Sequence, residues 1–134
     1  MNNSGIKIHP ISKDDKKPLN KSVGQLSVDI FHTTDKIVIL SPIAGVQKED
    51  VHLSVTEDVL VIKGTRKAPH DIKQEHYYTK ECFWGDFSRS IVLPEDADTA
   101  NIAANFELNV LEISIPKKEK PAEEEKTKII KIAN

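Results

Sequence analysis

The chain has 134 residues, 30% of them charged, a formal net charge of −2 and one cysteine. That length holds one domain with extensions, and no apolar run approaches the length of a membrane span. Cys82 alone rules out an internal disulfide and fits a reducing cytoplasm.

The start, Met1 to Lys7, lacks the apolar core of a signal peptide, which again predicts a cytoplasmic protein. The charge is uneven. Residues 1–21 hold five Lys against two Asp, and residues 117–134 hold six Lys against four Glu. Residues 22–116 hold eight basic against fifteen acidic side chains. An acidic body argues against nucleic acid as the main partner, because phosphate binding needs a basic face on the folded part.

Residues 1–24 are polar with scattered aliphatics, Ile6, Ile8, Ile11 and Leu19, and read as a flexible arm. From Gln25 the period becomes two: Leu26, Val28 and Ile30 predict a half-buried strand. Ile37 to Leu40 is apolar on both faces and predicts a central strand. Val51, Leu53 and Val55 alternate again, and Glu57-Asp58 joins them as a tight hairpin to Val59–Ile62, a run that Gly64 should end. Residues 67–76 are polar, and Tyr77-Tyr78-Thr79 has strong strand preference. Phe87, Ile91 and Leu93 lead to Pro94, and the acidic Glu95–Asp98 stretch is suited to starting one helical turn. Ile102, Ala104 and Phe106 alternate, Asn109 makes a turn that tolerates positive φ, and Leu111, Ile113 and Ile115 close the domain at Pro116. About eight short strands and no long helix predict an all-β, antiparallel, immunoglobulin-like sandwich over 25–116. Residues 117–128 form a Lys/Glu tether too polar to pack, ahead of Ile130-Lys131-Ile132 near the end of the 117–134 extension.

Several short motifs stand in a fixed order: Pro42-Ile-Ala-Gly45, Lys48-Glu-Asp50, Val59-Leu-Val-Ile-Lys-Gly64, Gly85-Asp-Phe-Ser-Arg89, Leu93-Pro94 and Val110-Leu-Glu-Ile-Ser-Ile-Pro-Lys117. Together with the Ile-x-Ile tail they resemble the α-crystallin-type small heat-shock proteins over roughly residues 25–116, in the bacterial and plant pattern. The resemblance implies an α-crystallin domain and a stress-response holdase chaperone that uses no ATP and no cofactor. It implies partners that are unfolded or partly unfolded clients and further copies of the chain, in a homo-oligomer built from dimers. It also implies a strand from the loop before Tyr77 exchanged between two subunits, and a tail docked in a sandwich groove. The chain departs from the family in three places. Asn109 replaces a usual Gly, Glu81-Cys82 replaces Glu-Arg, and the N-terminal arm has no Phe, Trp or Tyr.

The candidate site residues are those of an interaction protein. Ile130 and Ile132 share one side of an extended segment, and burying each gains roughly 1.5–3 kcal/mol. The bland alternative is a frayed aliphatic end. Ile6-Lys7-Ile8 repeats the spacing at the other terminus, and Ile6, Ile8 and Ile11 are candidate client-binding residues of the arm. Arg89 lies on a row with Phe87 and Ile91, where a charge must be paired or leave the core. The resemblance gives it an acidic partner across a dimer interface. The alternative is an exposed strand Arg. Tyr77, Tyr78, Phe83 and Trp84 cluster, and aromatics favour interfaces. The exchanged-strand pattern assigns the two Tyr there. His70, Asp71, Glu75 and His76 lack the fixed geometry that a metal needs. Cys82 near His76 lacks an orienting third group for nucleophilic catalysis, so no catalytic or metal residue is expected. Two rivals stay open: a monomeric co-chaperone-like binding module, and an enzyme built on Cys82 and His76.

Overall fold

Alternating apolar residues become strands here because each face of a strand meets a different environment. The structure, a computed structural model, describes residue 6, residues 8–9 and residues 23–119. Among them are nine strands: β1 (Ile8–His9), β2 (Gly24–Gln25), β3 (Asp29–His32), β4 (Lys36–Pro42), β5 (Val51–Thr56), β6 (Val59–Arg66), β7 (Gly85–Val92), β8 (Ala103–Glu107) and β9 (Val110–Pro116). One sheet has the order β1-β5-β6-β7-β2 and the other β3-β4-β9-β8. The five neighbouring pairs among β3 to β9 are antiparallel, whereas the two-residue β1 and β2 join their sheet in parallel. The only helices among the described residues are single 3-10 turns at Lys48–Asp50, Gln74–His76 and Thr99–Asn101. This is the antiparallel β-sandwich that the alternation predicts.

The core lies between the sheets. Ile39, Ile43, Leu53, Leu60, Ile62, Leu111, Ile113 and Ile115 are all under 2% exposed. They come from β4, β5, β6, β9 and the loop after β4, so the period-two rows of the sequence interlock across the gap. β4 is central in its sheet, flanked by β3 and β9. Ile37, Val38 and Ile39 are all buried, as its two-faced apolarity requires.

Three local expectations need correction. The row Leu26, Val28, Ile30 is not one strand face: Leu26 is buried, Val28 half-buried and Ile30 49% exposed. The chain crosses there from the β7 edge to the β4 edge. Gly24 pairs with Phe87, and Asp29 with Leu40. The Leu26 N–H still donates to the Ser88 carbonyl at 3.4 Å, and side chains take up the carbonyls that the crossing leaves over. Arg89 Nη1 donates to the Leu26 carbonyl at 2.8 Å, and Ser41 Oγ donates to the Ser27 carbonyl at 2.9 Å.

Gly64 does not end β6, which runs on to Arg66. A Cβ at this position would lie 2.6 Å from Phe87 Cζ and would clash with the Asp50 carbonyl. Glycine stands inside the strand because the Lys48–Asp50 turn and the Phe87 ring both press on its backbone. Tyr77-Tyr78-Thr79 forms no strand. It follows the Gln74–His76 turn, and residues 67–84 pair with no strand among the described residues. Strand preference alone gives no ladder without an edge to receive it. The helical turn near Pro94 lies at Thr99–Asn101, with Asp98 as its cap: the Ala100 N–H donates to Asp98 Oδ1 at 3.2 Å.

Candidate functional site: the open edges of the sandwich

A two-layer sandwich ends in edge strands, and each edge carries unpaired backbone groups that invite another strand. In one sheet the edges are β3 and β8. In the other, β1 lies along β5, and β2 covers β7 only at Phe87 and Ser88.

The β3 edge is apolar. Ile30 is 49% and Phe31 46% exposed. With Ile37, Pro94 and Lys117 they line an open groove of about 320 Å³. Lys117 Nζ lies 2.9 Å from His32 Nδ1 at its rim, and Asp96 completes the wall. The segment 67–84 supplies exposed apolar side chains of its own: Ile72 is 45% exposed and Tyr78 fully exposed. Tyr77 is half-buried, with Lys80 Nζ 5.0 Å from its ring centroid.

The aromatic cluster of the sequence divides in two. Phe83 turns back onto its own domain, where its ring leaves no room for a side chain at Gly24. Trp84 lies against Gly45 beside Arg66. Arg66 ties this corner together by donating from Nε to the Ala44 carbonyl at 2.7 Å and from Nη1 to the Phe83 carbonyl at 3.3 Å. Of the four aromatics Tyr78 is fully exposed, Tyr77 is half-buried, and Trp84 keeps 37% of its surface exposed.

Arg89 is half-buried and pairs with Ile62 across the β6–β7 ladder. Its hydrogen-bond partner among the described residues is the Leu26 carbonyl rather than a carboxylate. Guanidinium has five donors, so this bond leaves others for a second chain. Ile6 packs against the core, and its N–H donates to the Ala104 carbonyl on β8 at 3.3 Å. Ile8 pairs with Leu53. Ile11, Ile130 and Ile132 lie outside the described residues.

Asn109 stands in the turn that its tolerance of positive φ predicts, but sequence reasoning missed what its side chain does. Its φ is +60°, as a turn residue, and Leu108 beside it has φ +53°. Its side-chain amide donates to the carbonyls of Ile43 (3.2 Å) and Val46 (3.3 Å), and its own carbonyl accepts from the Ile43 N–H at 2.8 Å. The amide does what a Gly cannot: it staples the β8–β9 turn to the loop after β4. Nothing local to residues 108–110 signals this, because the acceptors are more than sixty residues away in sequence.

Among the described residues no three His, Cys, Asp or Glu side chains come together in a set able to hold a metal ion. Cys82 is exposed. Among the described residues no helix is long and apolar enough to cross a membrane.

Comparison with known proteins gives the family. The model of the Hsp20/alpha crystallin family matches residues 29–133, so the chain belongs to that family. It is 32% identical over 114 residues to small heat shock protein C4 of Rickettsia felis, covering 85% of this chain and 68% of that one. It is 32% identical over 107 residues to the 17.8 kDa class I heat shock protein of Arabidopsis thaliana, covering 79% and 68%. Other relatives are longer: the match spans 59% of small heat shock protein C2 of Rickettsia felis and 53% of spore protein SP21 of Stigmatella aurantiaca. The fold is similar to a small heat-shock protein from Xylella fastidiosa, with a TM-score of 0.64 and 30% identity over 81% of this chain and 96% of that one. It is also similar to hspA from Xanthomonas axonopodis, with a TM-score of 0.65 and 29% identity over 72% and 96%. The family is one of small heat-shock chaperones and not of enzymes.

Proposed function

We propose that this chain is an ATP-independent holdase that binds non-native proteins and assembles from dimers through its two open edges. The observation that carries this reading is the match between donor and receptor on one chain. Segment 67–84 pairs with no strand among the described residues and presents Ile72 and Tyr78, while the β3 edge presents Ile30 and Phe31 over an apolar groove. A second copy that lays its Tyr77-Tyr78 segment along β3 fills the groove and removes both edges at once. A chain cannot satisfy both halves alone if its own loop does not reach its own edge, so the pairing is reciprocal and two-fold. Arg89 takes its acidic partner across that interface.

Higher assembly follows from the tail. Ile130 and Ile132 dock in the cleft between the sheets at β5 and β8. One tail binds weakly, and many tails on one particle bind strongly through effective concentration. Release of tails uncovers apolar surface, and together with Ile6, Ile8 and Ile11 of the arm this surface holds unfolding clients in the cytoplasm. The arms, residues 1–24 and 117–134, flank the sandwich of 25–116 in this scheme.

Native mass of the Ile130→Ser/Ile132→Ser double variant tests the assembly. Dimers are expected. A mass equal to the parent's removes the tail from the assembly, and a monomer in both proteins favours a co-chaperone-like module instead.

A further inference from the structure

At the rim of the β3 groove two basic side chains touch each other. Lys117 Nζ lies 2.9 Å from His32 Nδ1. An ammonium has donors and no acceptor, so Nδ1 accepts here, and the imidazole is neutral with its proton on Nε2. A protonated imidazole has donors on both nitrogens. It cannot accept the lysine N–H, and two positive charges at this distance repel each other.

The place of the pair gives this bond a consequence. His32 is exposed at the end of β3, and Lys117 is half-buried directly after β9. Both line the groove beside Ile30 and Phe31. The Lys117 backbone is held in place whatever its side chain does. Its N–H donates to the Asp35 carbonyl at 2.9 Å, and the Lys118 N–H donates to the Asp96 carbonyl at 2.7 Å. The other charged groups of these elements are Asp35 and Lys36 in the turn after β3, and Glu95 and Asp96 in the loop after β7. The Asp35 carboxylate already accepts from Thr33 Oγ1 at 2.9 Å. Asp96 lies on the groove wall, where a displaced Lys117 can turn to it.

We propose that the His32–Lys117 pair is a proton-sensitive latch on the β3 edge, which accepts a second copy of this chain only while His32 is neutral. This rests on the dimer reading above and sets a pH condition on it. In the open subunit both side chains reach water, and protonation removes only their hydrogen bond. A strand laid along β3 covers the rim and expels that water. Burial and a like charge both disfavour the imidazolium, so docking selects the neutral form. The docked state then binds fewer protons than the open one, and pairing is lost as pH falls through the imidazole range. The segment that docks acts in the same direction, since His76 stands next to Tyr77. An ordinary imidazole is about nine-tenths protonated at pH 5.5 and about one-tenth at pH 7.5. If only the neutral form docks, apparent affinity falls about tenfold per groove between those values.

The test measures the dimer dissociation constant by sedimentation at about pH 7.5 and about pH 5.5. It uses the full chain with its tail disabled by Ile130→Ser and Ile132→Ser. Two further variants are made in that background. His32→Gln keeps a neutral acceptor at every pH, and Lys117→Met removes the second cation. Acid should raise the constant of the tail-disabled protein by about tenfold or more. It should raise that of His32→Gln by less than about threefold. His32→Gln retains His70 and His76, so its residual change measures what they contribute. Lys117→Met should fall between the two. An equal change in His32→Gln and its parent overturns the latch but leaves the dimer standing. A parental change in Lys117→Met also overturns it, because His32 then acts without Lys117. Monomers at both pH values overturn pairing along β3, and the latch with it.

Discussion

Arg89→Ala should destabilise the folded subunit by about 2 kcal/mol, because it removes a charged hydrogen bond rather than a surface charge. Arg89 Nη1 holds the Leu26 carbonyl at 2.8 Å, where the chain leaves one sheet for the other and the Leu26 N–H still donates to the Ser88 carbonyl on β7 at 3.4 Å. A bond with one ionised member contributes about 1.5–3 kcal/mol net, and a neutral one about 1 kcal/mol. Ser41→Ala supplies that neutral comparison on the same crossing, since Ser41 Oγ holds the next carbonyl, Ser27, at 2.9 Å. Urea unfolding in the tail-disabled background measures both. With a slope of about 1–3 kcal/mol per molar urea, the Arg89→Ala midpoint should fall by about 1 M, and that of Ser41→Ala by about half as much. An Arg89→Ala stability within about 0.5 kcal/mol of the parent, the range of an ordinary surface change, refutes the role assigned to the crossing. The dimer dissociation constant of the same variant tests the second role. An acidic partner stranded in a buried interface should weaken the dimer by about 3–5 kcal/mol. A change under tenfold, about 1.4 kcal/mol, confines Arg89 to its own subunit.

Gly64→Ala should lower stability by about 1–3 kcal/mol, as overpacking does, because its Cβ would meet the Asp50 carbonyl and the Phe87 ring. Calorimetry should show a fall in Tm of at least about 4 °C for a domain of this size, and an unchanged Tm contradicts the close approach. Asn109→Gly should keep the turn but lose the amide staple, at a loss of about 1 kcal/mol. Asn109→Ala should lose more, since a methyl side chain tolerates the positive φ poorly; denaturation that ranks Gly below Ala reverses the assignment. Deleting residues 68–80 should leave folded monomers, and dimers persisting at low micromolar concentration in sedimentation would move the interface elsewhere.

How much of this was legible in the sequence depended on whether the cause was local. β5, β8 and β9 alternate strictly, and the two-faced run Ile37–Val38–Ile39 can only be a central strand. Those elements were readable from the chain alone. The crossing at Leu26–Val28 also alternates, yet its fate was set by Arg89 and Ser41, which capture its carbonyls from two different sheets. Gly64 looked like a terminator because a glycine is locally permissive, whereas its use is to admit a backbone turn from fourteen residues earlier and a ring from β7. Tyr77 and Tyr78 have strand preference without a strand, since among the described residues no edge lies beside them to complete a ladder. The aliphatic spacing of Ile6 and Ile8 was visible in the sequence, but the bond of Ile6 to Ala104 and the pairing of Ile8 with Leu53 needed the fold.

Suppression of client aggregation tests the central claim most directly. A thermally unfolding client is heated with the full chain, without nucleotide, and its light scattering is followed. Substoichiometric to equimolar subunit should hold scattering near baseline, ATP should change nothing, and the isolated 22–116 domain should protect poorly. Scattering that proceeds as in the client alone, or protection that appears only with ATP, contradicts the account.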